Sequence, residues 1–274
     1  MIKNNMIINK KYTDLSHFKS NFFNSKPFPH LVLDDFIDPE YFSELNRILK
    51  NGKIDLGKNF NSEVEKNKSI SLNSTLPLTL KNVINHLNSE EWLHNLHKLS
   101  EIPEIFPVTS DNKVVANYHE ITKNGNLAPH VDHSHEPSIK KPHVINIIVY
   151  LSDDWKIEYG GNTLFFDKKG KNIEKKIEYK KNRAVIFLHT PYSFHGVEKI
   201  SENSQSTRKT IYVDYYSNVP QPFENLKYNI SKKWFKHGTT FIFPNKSDYF
   251  KLKNLNYTKT LIHYKLSELL NIFT

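Results

Sequence analysis

His130 and Asp132 flank Val131 shortly after an Asn124-Gly125 pair, and their spacing suits a metal ion. In an extended strand, residues two apart point to the same face. At ~3.3 Å per residue the two backbone positions lie about 6.6 Å apart. One ion can bridge an imidazole and a carboxylate at that separation. A second His from a distant strand would complete a two-His-one-carboxylate set, which suits Fe(II) and leaves three coordination positions open. The tripeptide alone carries little weight. With 14 His in 274 residues a His-x-Asp match by chance is ordinary, and a surface loop holding both residues is the plain alternative. The elements around it must decide.

From residue 112 onward the pattern is one of short strands. Lys113 to Ile121 alternates, a turn at Asn124-Gly125 follows, and the His130 segment comes next. His143 to Leu151 is apolar almost throughout and reads as a strand buried on both faces. Gly160 to Phe166, Arg183 to Leu188, Phe194 to Ile200 and Arg208 to Tyr216 complete about seven or eight strands. That count with turn residues between suggests a double-sheet barrel or jelly roll.

Before residue 112 the pattern is helical, after one strand from Pro27 to Asp35. Asp38 reads as an N-cap and Pro39 as the first helical residue. Phe42, Leu45, Ile48 and Leu49 form an apolar stripe, and Gly52 ends the helix. Further helices run from Leu78 to about Leu87 and, after a Ser89 cap, through Trp92, Leu93, Leu96 and Leu99. His86, His94 and His97 on these helices read as surface or packing residues. Residues 53–73 are polar, a loop or an ordered flap. Helices preceding a block of strands imply helices packed outside one sheet. After Ser217 come Pro220, Pro222, Trp234-Phe235, a strand from Thr239 to Phe243, and a helix from about Lys259 to Ile272.

Composition narrows the function classes. The absence of Cys excludes disulfides, thiolate zinc sites and Cys nucleophiles. Met1 to Tyr12 has no signal-peptide core, and no stretch approaches the ~20 apolar residues of a membrane span. The expectation is a soluble, cytoplasmic protein. Net charge is +9, which can mark an anionic partner. The densest basic run, Lys168 to Arg183, contains Glu174 and Glu178 and reads as a solvated hairpin, so a nucleic-acid partner is disfavoured. A zinc hydrolase is disfavoured too, because no His-Glu-x-x-His occurs.

An ordered set of short motifs then stands out. It comprises Asn117-Tyr118, Pro129-His130-Val131-Asp132, Val149-Tyr150-Leu151, Gly160-Gly161, Ala184 to Phe187, His195-Gly196-Val197 and Arg208-Lys209-Thr210. In order and spacing this set resembles the prolyl-4-hydroxylase-like branch of the Fe(II)/2-oxoglutarate-dependent dioxygenases, over residues 112–217. The resemblance implies a mainly β fold with flanking helices, a double-stranded β-helix (jelly roll) with N-terminal helices packed outside it. It divides the chain into residues 1–111, an N-terminal strand and helical support region, 112–217, the catalytic core, and 218–274, a C-terminal extension serving as lid or oligomer contact.

The resemblance also implies roles. Fe(II) is held by His130, Asp132 and His195, with His189 as the competitor for the third place. The co-substrate 2-oxoglutarate takes its far carboxylate to Arg208, whose guanidinium can grip it with two parallel hydrogen bonds. Thr210 adds a hydroxyl from the same strand face, Lys209 points the other way, and Tyr118 lies at a position that commonly reaches the co-substrate pocket or packs the core. His133 and His135 are expected beside the metal as pocket-lining residues. Trp155, Tyr192 and Phe194 are expected at the entrance. The activity implied is oxidative decarboxylation of 2-oxoglutarate by O2 coupled to C–H hydroxylation, with ascorbate as an admissible helper. A carboxylate at Asp132 speaks for hydroxylation, since halogenating relatives carry a small residue there. Asn162 departs from the acidic residue often found after the Gly-Gly pair. The substrate expected is prolyl, peptidyl or amino-acid in class, the alternative a small metabolite or sugar-linked intermediate, and the least favoured reading a silent jelly-roll binding module. A homodimer is compatible with all of these.

Overall fold

The computed structural model describes residues 6–52, 54–108, 116–224, 226 and 235–270. Its first half holds α1 (Lys19–Asn24), β1 (His30–Leu33), α2 (Pro39–Asn51), β2 (Lys58–Phe60), β3 (Glu65–Ser71), α3 (Leu78–Leu87), α4 (Glu90–Ser100) and β4 (Ile105–Pro107). The helix ends follow the capping chemistry. The Asp38 side chain accepts from the Glu40 and Tyr41 amides at the start of α2, and Ser89 Oγ accepts from the Trp92 amide at the start of α4. Residues 113–115 of the first expected strand, Trp234, and residues 271–272 of the expected last helix lie outside the described residues.

The second half holds β5 (Tyr118–Val131), β6 (His143–Tyr150), β7 (Thr163–Phe166), β8 (Ile173–Ile177), β9 (Ala184–Leu188), β10 (His195–Val197), β11 (Arg208–Ser217), β12 (Thr240–Phe241) and α5 (Leu255–Leu270). The strands join antiparallel in the order β1-β9-β6-β11-β5-β10-β7-β8. β5 makes this sheet curl. Its first part pairs with β11, Tyr118 opposite Ile211, and its last part pairs with β10, His130 opposite His195. Along its other edge lie β3 and then β12. One long strand shared by successive neighbours closes the sheet into a half-barrel, the mainly β jelly-roll architecture expected.

Two expectations need correcting here. Asn124-Gly125 is no hairpin turn, because β5 runs straight through it. Asn124 takes the left-handed conformation (φ 62°), which Asn tolerates better than most residues. A Cβ on Gly125 would lie 2.7 Å from Thr122 O and 2.8 Å from Lys66 O, so the backbones pass too close there for any side chain. The pair is a kink that lets one strand serve both halves of the barrel. The polar stretch 53–73 is likewise more than a loop, since β2 and β3 extend the sheet along β5. Main-chain pairing at an edge needs no apolar alternation, so composition hid these strands.

The sheet's outer face carries Ile145, Ile147, Val149, Ile186, Ile211 and Val213, buried against Leu45, Leu80, Val83, Trp92 and Leu96 of the helices. Trp92 Nε1 donates to Tyr215 Oη at 3.0 Å, and Tyr215 donates onward to the Leu87 carbonyl at 2.8 Å. Each fully buried Leu, Ile or Phe contributes roughly 1.5–3 kcal/mol, so this layer is the main anchor of the fold. The barrel's inner side is filled at one end by Phe28, Tyr150, Phe165, Tyr179 and Phe187. The C-terminal segment is tied on by β12 and by Tyr264, which is fully buried against Phe194 and Phe235. The Lys-rich hairpin is solvated, with residues Ile173 to Lys176 of β8 exposed. No helix among the described residues is long and apolar enough to cross a membrane.

Candidate functional site

β5 and β10 bring three side chains to one point. His130 and His195 are directly cross-strand neighbours, and their rings stand 4.2 Å apart. Asp132 lies two residues beyond His130. Its Oδ1 is 3.6 Å from His130 Nε2 and its Oδ2 is 3.4 Å from His195 Nε2. One ligand atom from each of the three lies within 4.8 Å of the others. Each ring is held by its far nitrogen: His130 Nδ1 bonds the Ala128 carbonyl and His195 Nδ1 the Ser193 carbonyl, both at 3.0 Å. A carbonyl can only accept, so Nδ1 carries the hydrogen and Nε2 turns its lone pair toward the common point. Burial pushes His130 down to about 3, so its imidazole is neutral and ready as a ligand.

Asp132 is held as firmly. Its Oδ2 accepts from Tyr212 Oη at 2.9 Å and from Asn146 Nδ2 at 3.2 Å. Burial alone would raise its pKa, but the imidazoles of His195 and His130 outweigh burial and hold the carboxyl below its ordinary range. Two imidazoles and one carboxylate, each oriented from behind by a hydrogen bond, fit a divalent transition metal.

A cationic seat lies in the same cavity. Arg208 is 3% exposed, its Nε donates to the Gly161 carbonyl at 2.7 Å, and its Nη2 donates to Thr163 Oγ1 at 3.2 Å. Its guanidinium also lies 5.3 Å from the Tyr150 ring centre and 5.0 Å from that of Tyr179. No carboxylate among the described residues pairs with it. A buried cation without an anion is costly unless a ligand brings one. The Gly160-Gly161 motif is explained by this seat. Both residues have left-handed φ, and a Cβ on Gly161 would meet the Trp155 ring at 2.8 Å. Thr210 is buried on the Arg208 face of β11 and lines the cavity. Lys209 points outward as expected, its Nζ reaching the Leu49 carbonyl at the end of α2.

A single cavity of about 940 Å³ is lined by His130, Asp132, His195, Arg208, Thr210 and Thr163 together. Other expected residues fall elsewhere. Tyr118 is not a co-substrate contact. It pairs with Ile211, on the face that packs the helices, and its hydroxyl donates to Glu120 at 2.7 Å. His119, one residue on, lines the cavity instead. His189 is not in the metal set. It stacks on His143 at 4.2 Å. His133 lines the cavity, but His135 sits beside it, bridged to Pro142 and bonded to Ser134 Oγ. Trp155, Tyr192 and Phe194 are packing residues of the flanking clusters, with Phe194 fully buried, and do not form the entrance. Asn162 serves local structure, its amide joining Glu198 at 2.5 Å and the Tyr179 amide at 2.8 Å.

Several functional residues carried a signal that strand periodicity makes visible. Arg208 and Thr210 lead by the same two-residue step to Tyr212, Asp214 and Tyr216, all of which line the cavity. Asn146 interrupts an otherwise apolar strand, and a buried amide there must find partners. Tyr150 faces Thr210 across β6 and β11, and its hydroxyl donates to Thr163 at 2.6 Å.

Residues 114–216 match the family model described as 2OG-Fe(II) oxygenase superfamily. Among solved structures, a Pseudomonas putida prolyl-4-hydroxylase aligns with a TM-score of 0.53 at 10% identity, over 75% of this chain and 100% of that one. A prolyl 4-hydroxylase of Phytophthora capsici aligns at 0.51 and 14% identity, over 99% of this chain and 80% of that one. HygX from Streptomyces hygroscopicus, with nickel and 2-oxoglutarate bound, aligns at 0.50 and 11% identity, over 81% and 96%. At such identities the likeness shows the fold alone. No curated protein sequence compared with the chain matches it.

Proposed function

We propose that this chain, whose residues 114–216 form a 2OG-Fe(II) oxygenase domain, hydroxylates a small polar substrate, with His130, Asp132 and His195 as iron ligands and Arg208 and Thr210 as the seat of 2-oxoglutarate. The observation that carries the reading is the convergence in one cavity of the His pair with its carboxylate and of a buried guanidinium that no protein carboxylate pairs among the described residues. Fe(II), 2-oxoglutarate and O2 together supply an oxidation in which decarboxylation of the co-substrate is coupled to hydroxylation of a C–H bond. The chain's own residues do the positioning. His130 and His195 present fixed lone pairs, Asn146 and Tyr212 orient the carboxylate, and Arg208 with Thr210 fixes the far end of the co-substrate.

The expectation of a prolyl, peptidyl or amino-acid substrate narrows at this cavity. The cavity is also lined by Phe60 and Lys68 of β2 and β3 and by Tyr257 and Thr260 of α5, while Phe241 stacks on His130 at 4.9 Å. With Tyr257 of α5 bonded to Glu65 of β3 at 3.2 Å, these added elements join over the cavity, which suits a compact guest more than a threaded peptide. A free amino acid, a small metabolite or a sugar-linked intermediate fits this reading better than a protein chain.

The test is an anaerobic titration of purified protein with Fe(II) and then 2-oxoglutarate, following the visible charge-transfer band of the chelate. The band is expected in wild type and in His189→Ala and is expected to vanish in His195→Ala. A folded protein that never develops the band would overturn the reading.

A further inference from the structure

We infer that the chain carries a second divalent-metal site, formed by His133, His143 and Asp214, one side-chain amide away from the iron ligands. These three residues also offer one ligand atom each within 4.8 Å of one another. The composition of the first site is repeated, two imidazoles and one carboxylate, a donor set that suits Zn²⁺ and its first-row neighbours.

The geometry repeats as well. At the first site the imidazole nitrogens approach carboxylate oxygens at 3.4–3.6 Å while the far nitrogens hold carbonyls. At the second, His143 Nδ1 bonds the His133 carbonyl at 3.1 Å, which turns Nε2 toward Asp214. That Nε2 lies 3.3 Å from Asp214 Oδ1, is fully buried, and has no aligned hydrogen-bond partner. An imidazole nitrogen set against a carboxylate oxygen in a buried wall needs a cation between them, a proton or a metal ion. Asp214 Oδ1 is oriented from behind by Asn146 Nδ2 at 2.9 Å, the amide that also holds Asp132. His133 Nε2 bonds Tyr216 Oη at 2.9 Å, and that hydroxyl orients the ring beside His143, the two rings stacked at 5.2 Å.

The strands were bent to make this cluster. The β6–β11 register shifts between Tyr215 and Tyr216, so His143 comes opposite Tyr216. Regular alternation would have placed Val144 on the cavity side with Asn146 and Ile148. A bulge of this kind re-aims a side chain, and here it aims an imidazole at Asp214. Asp214, His133 and Tyr216 all line the cavity, so an ion held by three protein ligands keeps open positions toward the substrate space, where an oxygen of the guest can bind.

Two dications so close repel each other, so the second ion binds more weakly than the first. The experiment is equilibrium dialysis of the full chain against micromolar Zn²⁺, with bound metal counted by mass spectrometry. Wild type is expected to hold two equivalents, the second at least tenfold weaker. Asp214→Asn keeps the shape and is expected to hold one, as is His133→Gln should the Asn variant fold poorly by circular dichroism. Asp132→Asn is expected to lose an equivalent while the His133 cluster keeps its own. A wild type that binds a single equivalent, or folded Asp214→Asn and His133→Gln proteins that still bind two, would reduce the cluster to a protonated His143–Asp214 ion pair in the cavity wall. A wild type that binds no equivalent would overturn the second site and the iron-site reading together.

Discussion

Asp132 is the residue on which most depends, because it meets both imidazoles and two hydrogen-bond donors at once. Asp132→Ala removes one of three protein ligands. It should lower turnover by at least about a hundredfold, since even outer-shell partners of a metal are worth 10–100-fold. Succinate production at the wild-type rate in the folded variant would rule out this ligand set. Arg208 makes a different prediction. A charge-assisted, two-pronged grip is worth roughly 2–3 kcal/mol, so Arg208→Ala should raise the 2-oxoglutarate concentration needed by about 30–160-fold. Lys209→Ala, whose side chain lies on the other face against α2, should leave it nearly unchanged. The reverse outcome in a co-substrate titration would mean the β11 register is wrong by one residue.

At the scale of elements, the site depends on β10 lying tight against β5. A Cβ on Gly196 would fall 2.6 Å from the Leu127 carbonyl and 3.1 Å from that of Ala128, backbone atoms that cannot swing aside. Gly196→Ala should therefore push β10 outward, carry His195 with it, and weaken iron binding by tenfold or more while the helical layer stays folded. An unchanged iron affinity in that variant would show that the strands adjust freely. The same strands show what a sequence can reveal. His130 and Asp132 were legible because two-residue periodicity needs no partner to be read, and His195 and Arg208 because short motifs in a fixed order marked them. Tyr118 stayed open between pocket and core because its side is set by the pairing with Ile211, which no local pattern encodes. His143 stayed hidden because a bulge at Val144, where β6 pairs with β11, decides its face. β2 and β3 stayed hidden because their polar residues owe their conformation to the edge of β5.

At the scale of the whole molecule, two layers hold the barrel from outside. The N-terminal helices cover its outer face, and the C-terminal segment packs on through Phe241, which stacks on His130, and Tyr264, which packs on Phe194. β1 joins the sheet at its far edge and carries His30, 2% exposed, edge-on to Phe165 at 5.0 Å and bonded through Nδ1 to the Phe28 carbonyl at 2.8 Å. Burial pushes His30 down to about 4, with Lys175 the nearby charge that adds to the effect. In the unfolded chain the same imidazole titrates near its ordinary 6.5. The unfolded state therefore takes up the proton first as pH falls. The stability held by a neutral His30 is complete above about pH 6.5 and is lost as pH drops toward 4, by up to roughly 3 kcal/mol at 1.36 kcal/mol per unit. Urea unfolding of metal-free wild type and His30→Gln at pH 7.5 and pH 4.5 isolates this contribution, because every other titrating group is shared by the two proteins. Wild type should lead at pH 7.5, and its lead should shrink or vanish at pH 4.5. A difference that stays constant across that window would mean the ring is already hydrated, and that β1 is held by its main-chain pairing to β9 and not by the neutral side chain beneath it.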